Sequence, residues 1–246
     1  MTDQKIVLPY KGQPEGKREQ VATMFDNISP KYDFLNRLLS LGIDVYWRKR
    51  AIALLKPAQP KYILDIATGT ADFAIEALKL NPDKIIGVDI SEGMLAFGRE
   101  KLKKRGLDHK IELRTGDSQQ LQFGDNSFDA VMASFGVRNF ENLEHGLADM
   151  HRVTKPGGTV LVLEFSTPRA FPFRQLYGFY SRHVLPFVGK AISKDDSAYR
   201  YLPESVRAFP DGKRFTDVLD RVGFVQTRSI PLTFGVCSIY TGRKPA

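Results

Sequence analysis

The sequence predicts an α/β protein built on a mostly parallel sheet with helices on both faces. Three observations carry this reading. Between about residues 60 and 165, short apolar runs alternate with helix-patterned stretches. The runs are near-continuously apolar, as suits strands buried on both sides. Several end in a polar residue and a turn that opens a helix. A chain with 42% hydrophobic and 26% charged residues is neither disordered nor fibrous. Its most apolar stretches, such as Thr159 to Phe165, fall far short of the ~20 residues that cross a bilayer.

The elements follow in order. Residues 1–16 are polar with Pro9, Gly12, Pro14 and Gly16, and read as a mobile arm without the apolar stretch of a secretory signal. Val21, Met24, Phe25 and Ile28 recur on one helical face, ended by Pro30. A second helical pattern runs from about Tyr32 to Leu55, interrupted near Gly42. Tyr62 to Ile66 predicts the first strand, and Ala71 to Leu80 a helix behind a Thr-Gly-Thr turn. The unit repeats: Ile85 to Ile90 is a strand, Ser91 a helix N-cap, and Glu92 to Arg105 a helix stopped by Gly106. Ile111 to Thr115 and Phe128 to Ser134 are the next strands. Leu143 to Val153 is helical, Lys155 to Gly158 a turn, and Thr159 to Phe165 the fifth strand. Phe215 to Val222 is a helix, and Phe224 to Leu232 with Val236 to Thr241 form a closing strand pair, for seven strands in all. One domain is expected, with an N-terminal arm and helical cover (1–56), a core (57–168), an insertion (169–209) and a C-terminal helix and strand pair (210–246).

In open α/β sheets ligands bind beyond the carboxyl ends of the strands. There, Asp65-Ile-Ala-Thr-Gly-Thr-Ala-Asp72 supplies a small-residue turn before a helix, where backbone can approach a ligand. With Gly69 alone it is a poor dinucleotide fingerprint, which disfavours a dehydrogenase, and a plain strand-to-helix connection stays open. Asp89 ends the second strand, where an acidic side chain can accept the hydroxyls of an adenosine ribose. Asp117 and Ser118 follow the third strand, at an adenine edge or, for Asp117, as a turn cap. Ser134 ends the fourth strand beside the same crevice. Spacing alone supports a nucleotide-like cofactor. No HxxxH or CxxC spacing occurs, so no metal is expected, and a lone Cys237 suits a small core residue in a reducing, cytoplasmic setting.

The net charge of +8 is segregated: residues 1–56 hold ten Lys/Arg against six Asp/Glu, and residues 169–209 hold seven against three. Nucleic acid, anionic lipid, an anionic ligand or plain solvated charge would each suit this.

The Asp-x-Ala-x-Gly-Thr-Ala-Asp turn, the acidic end of strand two and the Lys-Pro-Gly-Gly turn before strand five resemble a class I S-adenosylmethionine-dependent methyltransferase, a Rossmann-like fold. Phe25-Asp-Asn-Ile-Ser-Pro-Lys-Tyr-Asp-Phe-Leu-Asn36, Leu41-Gly-Ile-Asp44 and Tyr46-Trp-Arg48 resemble the ubiquinone/menaquinone biosynthesis C-methyltransferases in particular. Ser134-Phe-Gly-Val-Arg-Asn139, Leu163-Glu-Phe-Ser166, His183-Val-Leu-Pro186 and Ser197-Ala-Tyr-Arg-Tyr-Leu-Pro-Glu-Ser205 extend the likeness over roughly residues 18 to 245. Thr68 and Ala71 depart from it, standing where many relatives carry glycine.

The resemblance implies S-adenosylmethionine as cofactor, with Gly69 and Thr70 against its methionine part, Asp89 on the ribose, Asp117 and Ser118 on the adenine, Ser134 near the transferred methyl, and Asp65 bracing the turn. It implies a polyprenylated quinol as substrate, demethylmenaquinol first, with the methoxy-polyprenyl-benzoquinol of ubiquinone synthesis as the alternative. From another class, a nucleic-acid methyltransferase suits the charge, but the chain has no Asn-Pro-Pro-Tyr tetrad, no Pro-Cys pair and no RNA-binding module.

Ring-carbon methylation calls for a phenolate, since a free phenol has a pKa of ~10. Arg138 is the first candidate to stabilise it, directly or through a water, against the reading that it is salt-bridged to a nearby carboxylate. Tyr32 and Asp33 are candidates to orient the quinol, or else capping and packing residues. His109, His145 and His151 read as structural or solvated, and His183 as packing inside or touching substrate. Nine aromatics in residues 169–209, among them Phe171, Phe173, Tyr177, Phe179, Tyr180 and Phe187, suit either ordinary helix packing or a lid over an isoprenoid tail with basic groups on anionic lipid. The expected location is cytoplasmic, with peripheral contact at the inner membrane face and a homodimer both left open.

Overall fold

The computed structural model describes residues 6–184 and 197–246. Seven strands form one sheet in the order β3-β2-β1-β4-β5-β7-β6. The first five, β1 (Tyr62–Ile66), β2 (Lys84–Asp89), β3 (Ile111–Thr115), β4 (Phe128–Ser134) and β5 (Thr154–Phe165), pair in parallel. β7 (Cys237–Arg243) runs antiparallel to both β5 and β6 (Val225–Leu232). Strand order reverses between β1 and β4, so their carboxyl ends flank the crevice where such sheets bind ligands.

Both sheet faces are buried, as the apolar runs require. On one face Ile63, Ala130, Met132, Leu161 and Leu163 pack with α3 (Ile43–Leu55), α4 (Asp72–Ala77) and α5 (Glu92–Lys104). On the other, Leu64, Ile66, Val131, Val160 and Val162 meet α6 (Leu143–Val153) and Phe215, Val218 and Leu219. Cys237 is fully buried in the last strand among these apolar side chains. Ser91 caps α5 as its sequence suggests, accepting from Met94 N at 3.1 Å.

A third apolar cluster roofs the carboxyl ends of the strands. Val21, Met24 and Ile28 of α1 (Lys17–Ile28) and Leu35 of α2 (Tyr32–Leu39) pack against Ala198, Tyr199 and Tyr201. The latter three belong to the insertion, which carries α7 (Phe173–Phe179), a π-helical turn (Tyr180–Val184) and α8 (Ser197–Ala208) before α9 (Lys213–Arg221). The helical cover and the insertion therefore build one roof.

Two expectations need correction. Residues 6–16 are not a free arm: Val7 is buried in the roof cluster, and Tyr10 N donates to Gln20 Oε1 at 2.9 Å. The polar composition hid one apolar anchor. Residues 155–158 are not a turn ahead of the strand but part of β5, whose register against β4 shifts between Phe128 and Ala130. The shift absorbs the Pro-Gly-Gly residues, and Gly157, at φ +73°, takes a conformation glycine adopts freely.

Candidate active site

The turn after β1 brings the backbone into the crevice. Ala67, Gly69 and Ala71 all take positive φ (52°, 56° and 68°), a conformation costly for a side chain. A glycine at the position of Ala71 would take that conformation freely. Thr68 earns its place differently, its hydroxyl donating to Asp65 Oδ2 at 2.7 Å. Asp65 thus braces the turn, and burial pushes its carboxyl up to about 7.

Asp89 lines a cleft with Gly69, Met94, Asp117, Ser118, Ser134 and Gly136. Its Oδ2 accepts from Gly69 N at 2.8 Å and its Oδ1 from Ser91 N at 2.9 Å. Burial lifts it to about 6, with those N–H donors opposing. A carboxylate has roughly four lone-pair sites, so capacity remains for the hydroxyls of a ribose. The walls are closely built: a Cβ on Gly136 would lie 2.4 Å from that of Ala67. Asp117 lines the cleft, and its Oδ1 caps the turn by accepting from Gln119 N at 2.9 Å. A carboxylate beside small residues and helix-start N–H groups fits an adenosyl ligand.

A second polar cleft adjoins the first, lined by Asp33, Arg48, Asp65, Thr70, Asp72 and Ser134. Thr70 Oγ1 donates to Asp33 Oδ1 at 2.6 Å, and Lys101 Nζ binds Asp33 Oδ2 at 2.6 Å and Asp72 at 2.8 Å. Asp33 therefore faces the turn rather than the apolar cavity described next, and pins α2 to the cofactor side. Asp26, seven residues earlier, does the same for α1, accepting from Ser91 Oγ at 2.6 Å and Gly93 N at 2.9 Å. Arg18 adds an ion pair to Asp117 at 3.3 Å. Asp26 and Lys101 were not singled out in the sequence, although the two-turn spacing of Asp26 and Asp33 was a usable signal.

Beneath the roof lies a cavity of about 380 Å³, lined mainly by apolar and aromatic side chains. Phe135, Phe165, Phe173, Tyr177, Tyr180 and Tyr201 supply much of the wall, with Leu35 and Leu39 from α2. Phe135 and Phe165 lie 4.5 Å apart between ring centroids, and Trp47 packs on both. Tyr32 and Phe135 line this cavity and both polar clefts, so the three spaces meet at these two rings. Burial raises the Tyr32 phenol above its ordinary range, keeping it protonated.

Like Arg48, Arg138 is a buried cation of the cavity lining. Its Nη1 donates to Glu164 Oε1 at 2.9 Å and to the Phe135 carbonyl, and its backbone N–H reaches Glu164 Oε2 at 3.3 Å. Its guanidinium carbon lies 5.5 Å from the Phe165 ring centroid. Nε keeps no partner. The salt-bridge reading of Arg138 is thus present in the structure, while the residue also lines the cavity. Lys17 Nζ fixes the loop by donating to the Phe140 carbonyl at 2.7 Å. Glu164, fully buried at the end of β5, is the partner that sequence reasoning did not assign.

Of the aromatics expected in a lid, Phe173, Tyr177 and Tyr180 line the cavity, Phe171 and Phe179 are exposed, and Phe187 lies outside the described residues. His183 is exposed against the Phe179 ring at 5.0 Å, not packed inside. His151 packs on Phe224, and burial lowers its pKa. Among the described residues no helix is long and apolar enough to cross a membrane.

Comparison with known proteins shows the family and the fold. The sequence pattern of the ubiE/COQ5 methyltransferase family matches residues 13–244. The chain is 52% identical to the demethylmenaquinone methyltransferase of Bacteroides fragilis over 98% of each chain. It is 42% identical to the ubiquinone/menaquinone biosynthesis C-methyltransferase UbiE of Geobacter sulfurreducens, over 98% of this chain and 94% of that one. Among solved structures, an S-adenosylmethionine-dependent methyltransferase from Thermotoga maritima superposes with a TM-score of 0.64 at 18% identity, over 90% of this chain and 99% of that one.

Proposed function

Because the chain belongs to the ubiE/COQ5 methyltransferase family, we propose that it methylates a ring carbon of a polyprenylated quinol, with demethylmenaquinol as the acceptor. It is an S-adenosylmethionine-dependent C-methyltransferase of quinone biosynthesis. The acceptor and the residue roles are our reading. One observation carries it: an aromatic cavity holding a buried arginine opens onto the cofactor clefts at Tyr32 and Phe135. The relative with 52% identity, named for demethylmenaquinone, favours the naphthoquinol.

When bound, S-adenosylmethionine supplies an electrophilic methyl carbon on a sulfonium. Asp89 holds the ribose, Asp117 and Ser118 border the adenine, and Gly69, Thr70 and Ser134 line the methionine end. The chain's task is then to align the ring carbon and exclude water. A quinol carbon is a weak nucleophile until the neighbouring hydroxyl loses its proton. Arg138 favours passage of that proton to water by placing a fixed cation beside the oxygen, and the ring proton at the methylated carbon leaves to water in turn as aromaticity returns. Glu164 holds the guanidinium in place and tempers its charge. Phe135, Phe165 and Tyr32 wall the ring off from solvent.

The cavity mouth suits an isoprenoid tail and a lipid surface. Leu41, Leu176 and Phe234 line the cavity and yet are 84%, 61% and 67% exposed. Arg37 and Arg174, on the same helices as exposed Leu38 and Leu176, are also exposed. An apolar rim with basic neighbours is what peripheral binding to an anionic bilayer uses. We place the enzyme at the inner membrane face on this basis.

The test is transfer of labelled methyl to reduced demethylmenaquinone in detergent, with the methoxy-polyprenyl-benzoquinol and bulk RNA as parallel acceptors. Label on the naphthoquinol supports the reading. Label on RNA, or none while cofactor still binds, sinks it.

A further inference from the structure

A second residue of the cavity lining, besides Arg138, carries a buried polar atom without a partner. Tyr201, on α8, is only 3% exposed, yet its hydroxyl has no hydrogen-bond partner among the described residues. A tyrosine O–H buried in an apolar wall ordinarily finds a partner, because an unmade hydrogen bond there is costly. Phenylalanine would fill the same wall without that cost. The ring is also held firmly, packed in the roof cluster with Val21, Met24 and Leu35. A fixed, unsatisfied donor on a residue of a ligand cavity's lining is the arrangement that positions a substrate.

Resting on the quinol reading above, we propose that Tyr201 binds substrate, its hydroxyl donating to the ring oxygen remote from the reacting carbon while Arg138 serves the adjacent one. A 1,4-quinol carries its two oxygens at opposite ends of a flat ring. Apolar walls alone leave such a ring free to turn in its plane. Two donors, one at each oxygen, fix the rotation and so select which carbon faces the methyl group. Tyr201 suits the remote oxygen chemically. Burial pushes its phenol up to about 12, with nearby Arg138 opposing, so it stays a neutral donor. No charge is then added where a phenolate is not wanted. This role explains why the Ser197-to-Ser205 segment, which the cofactor site does not use, lies over the cavity.

The experiment compares wild-type enzyme with Tyr201→Phe on two acceptors. One is demethylmenaquinol. The other is its 1-naphthol analogue, which keeps the hydroxyl next to the reacting carbon and lacks the remote one. On the full quinol, KM for the acceptor should rise roughly 5- to 20-fold in the variant, as losing one buried hydrogen bond implies. KM for S-adenosylmethionine should move less than about threefold, kcat should fall as the freed ring turns out of alignment, and Tm should hold or rise because an unpaired hydroxyl has gone. On the analogue, the two enzymes should behave alike, and wild type should bind it as weakly as Tyr201→Phe binds the quinol. An unchanged acceptor KM in the variant overturns the proposal, as does a penalty that persists on the analogue. The wild-type comparison of the two acceptors stands without the variant, and equal KM values there overturn it too. Failure of wild type to methylate the quinol at all would instead overturn the functional reading on which this rests.

Discussion

Replacing Asp89 by asparagine tests the cofactor cleft at the residue that organises it. The carboxylate accepts from Gly69 N and Ser91 N, at 2.8 and 2.9 Å, and keeps lone pairs for a ribose. An asparagine in that place accepts with one atom and presents an NH₂ group with the other. One backbone N–H loses its acceptor, and at least one ribose hydroxyl loses a charged one. A hydrogen bond to a charged group contributes about 1.5–3 kcal/mol, so affinity for S-adenosylhomocysteine should fall roughly 10- to 150-fold. The pH dependence gives an independent check. Burial holds the wild-type carboxyl at about 6 in the free enzyme. Its ionised form binds the diol, so wild-type affinity should weaken toward ~10-fold per pH unit below that value and level off above it. The Asp89→Asn variant should lack that step. Isothermal titration calorimetry across pH 5–8 reads both effects. A change under about threefold at neutral pH, or an undiminished step near pH 6 in the variant, would refute the assignment of Asp89 to the ribose.

Three further outcomes follow from buried charge. Asp65 has its folded-state pKa raised to about 7, so its ionised form is disfavoured by folding and its cost to stability grows as pH rises from the unfolded value of 3.8. Asp65→Asn should therefore raise Tm above neutral pH, lose that advantage below about pH 4, and weaken cofactor binding through a looser turn; equal Tm gains at pH 4 and 8 would contradict the cause given. Removing Glu164 strands the Arg138 cation in a site where it is 8% exposed, which costs about 3–5 kcal/mol and for a chain of this size lowers Tm by roughly 6–20 °C. A Tm of Glu164→Ala within about 2 °C of wild type would show that the pair is not coupled to the fold. Asp33→Ala removes two short contacts, to Thr70 and Lys101, and should speed amide hydrogen exchange in α2 while leaving the β-sheet core unchanged. Unaltered exchange in α2 would mean that the roof is held by packing alone.

Much of the fold was legible because the strands are buried on both faces. Ile63, Leu64 and Ile66 serve two cores, so β1 reads as an unbroken apolar run, and the same holds for β4 and β5. The Gly69 to Asp89 pairing was legible because both residues end a strand-and-turn unit. Glu164 was not, because its link to Arg138 depends on β4 and β5 lying side by side. Once Ser134 pairs with Leu163, the residues just past one strand end and at the other are brought together. The contacts of Asp33 were hidden for a related reason: its partner Lys101 lies on α5, far away in the sequence. Tyr201 lay in a motif whose role no local pattern discloses, since an unpaired hydroxyl exists only after the roof has assembled.

The central claim is that one ring site joins the cofactor cleft to the apolar cavity at Tyr32 and Phe135. An anaerobic crystal structure of the enzyme with S-adenosylhomocysteine and demethylmenaquinol tests it most directly. The expected result is the ribose on Asp89, the quinol ring against Phe135 and Phe165 with an oxygen on Arg138, and the tail leaving past Leu41 and Phe234. A quinol bound outside that cavity, or a ring whose oxygens touch neither Arg138 nor a water it holds, would contradict it.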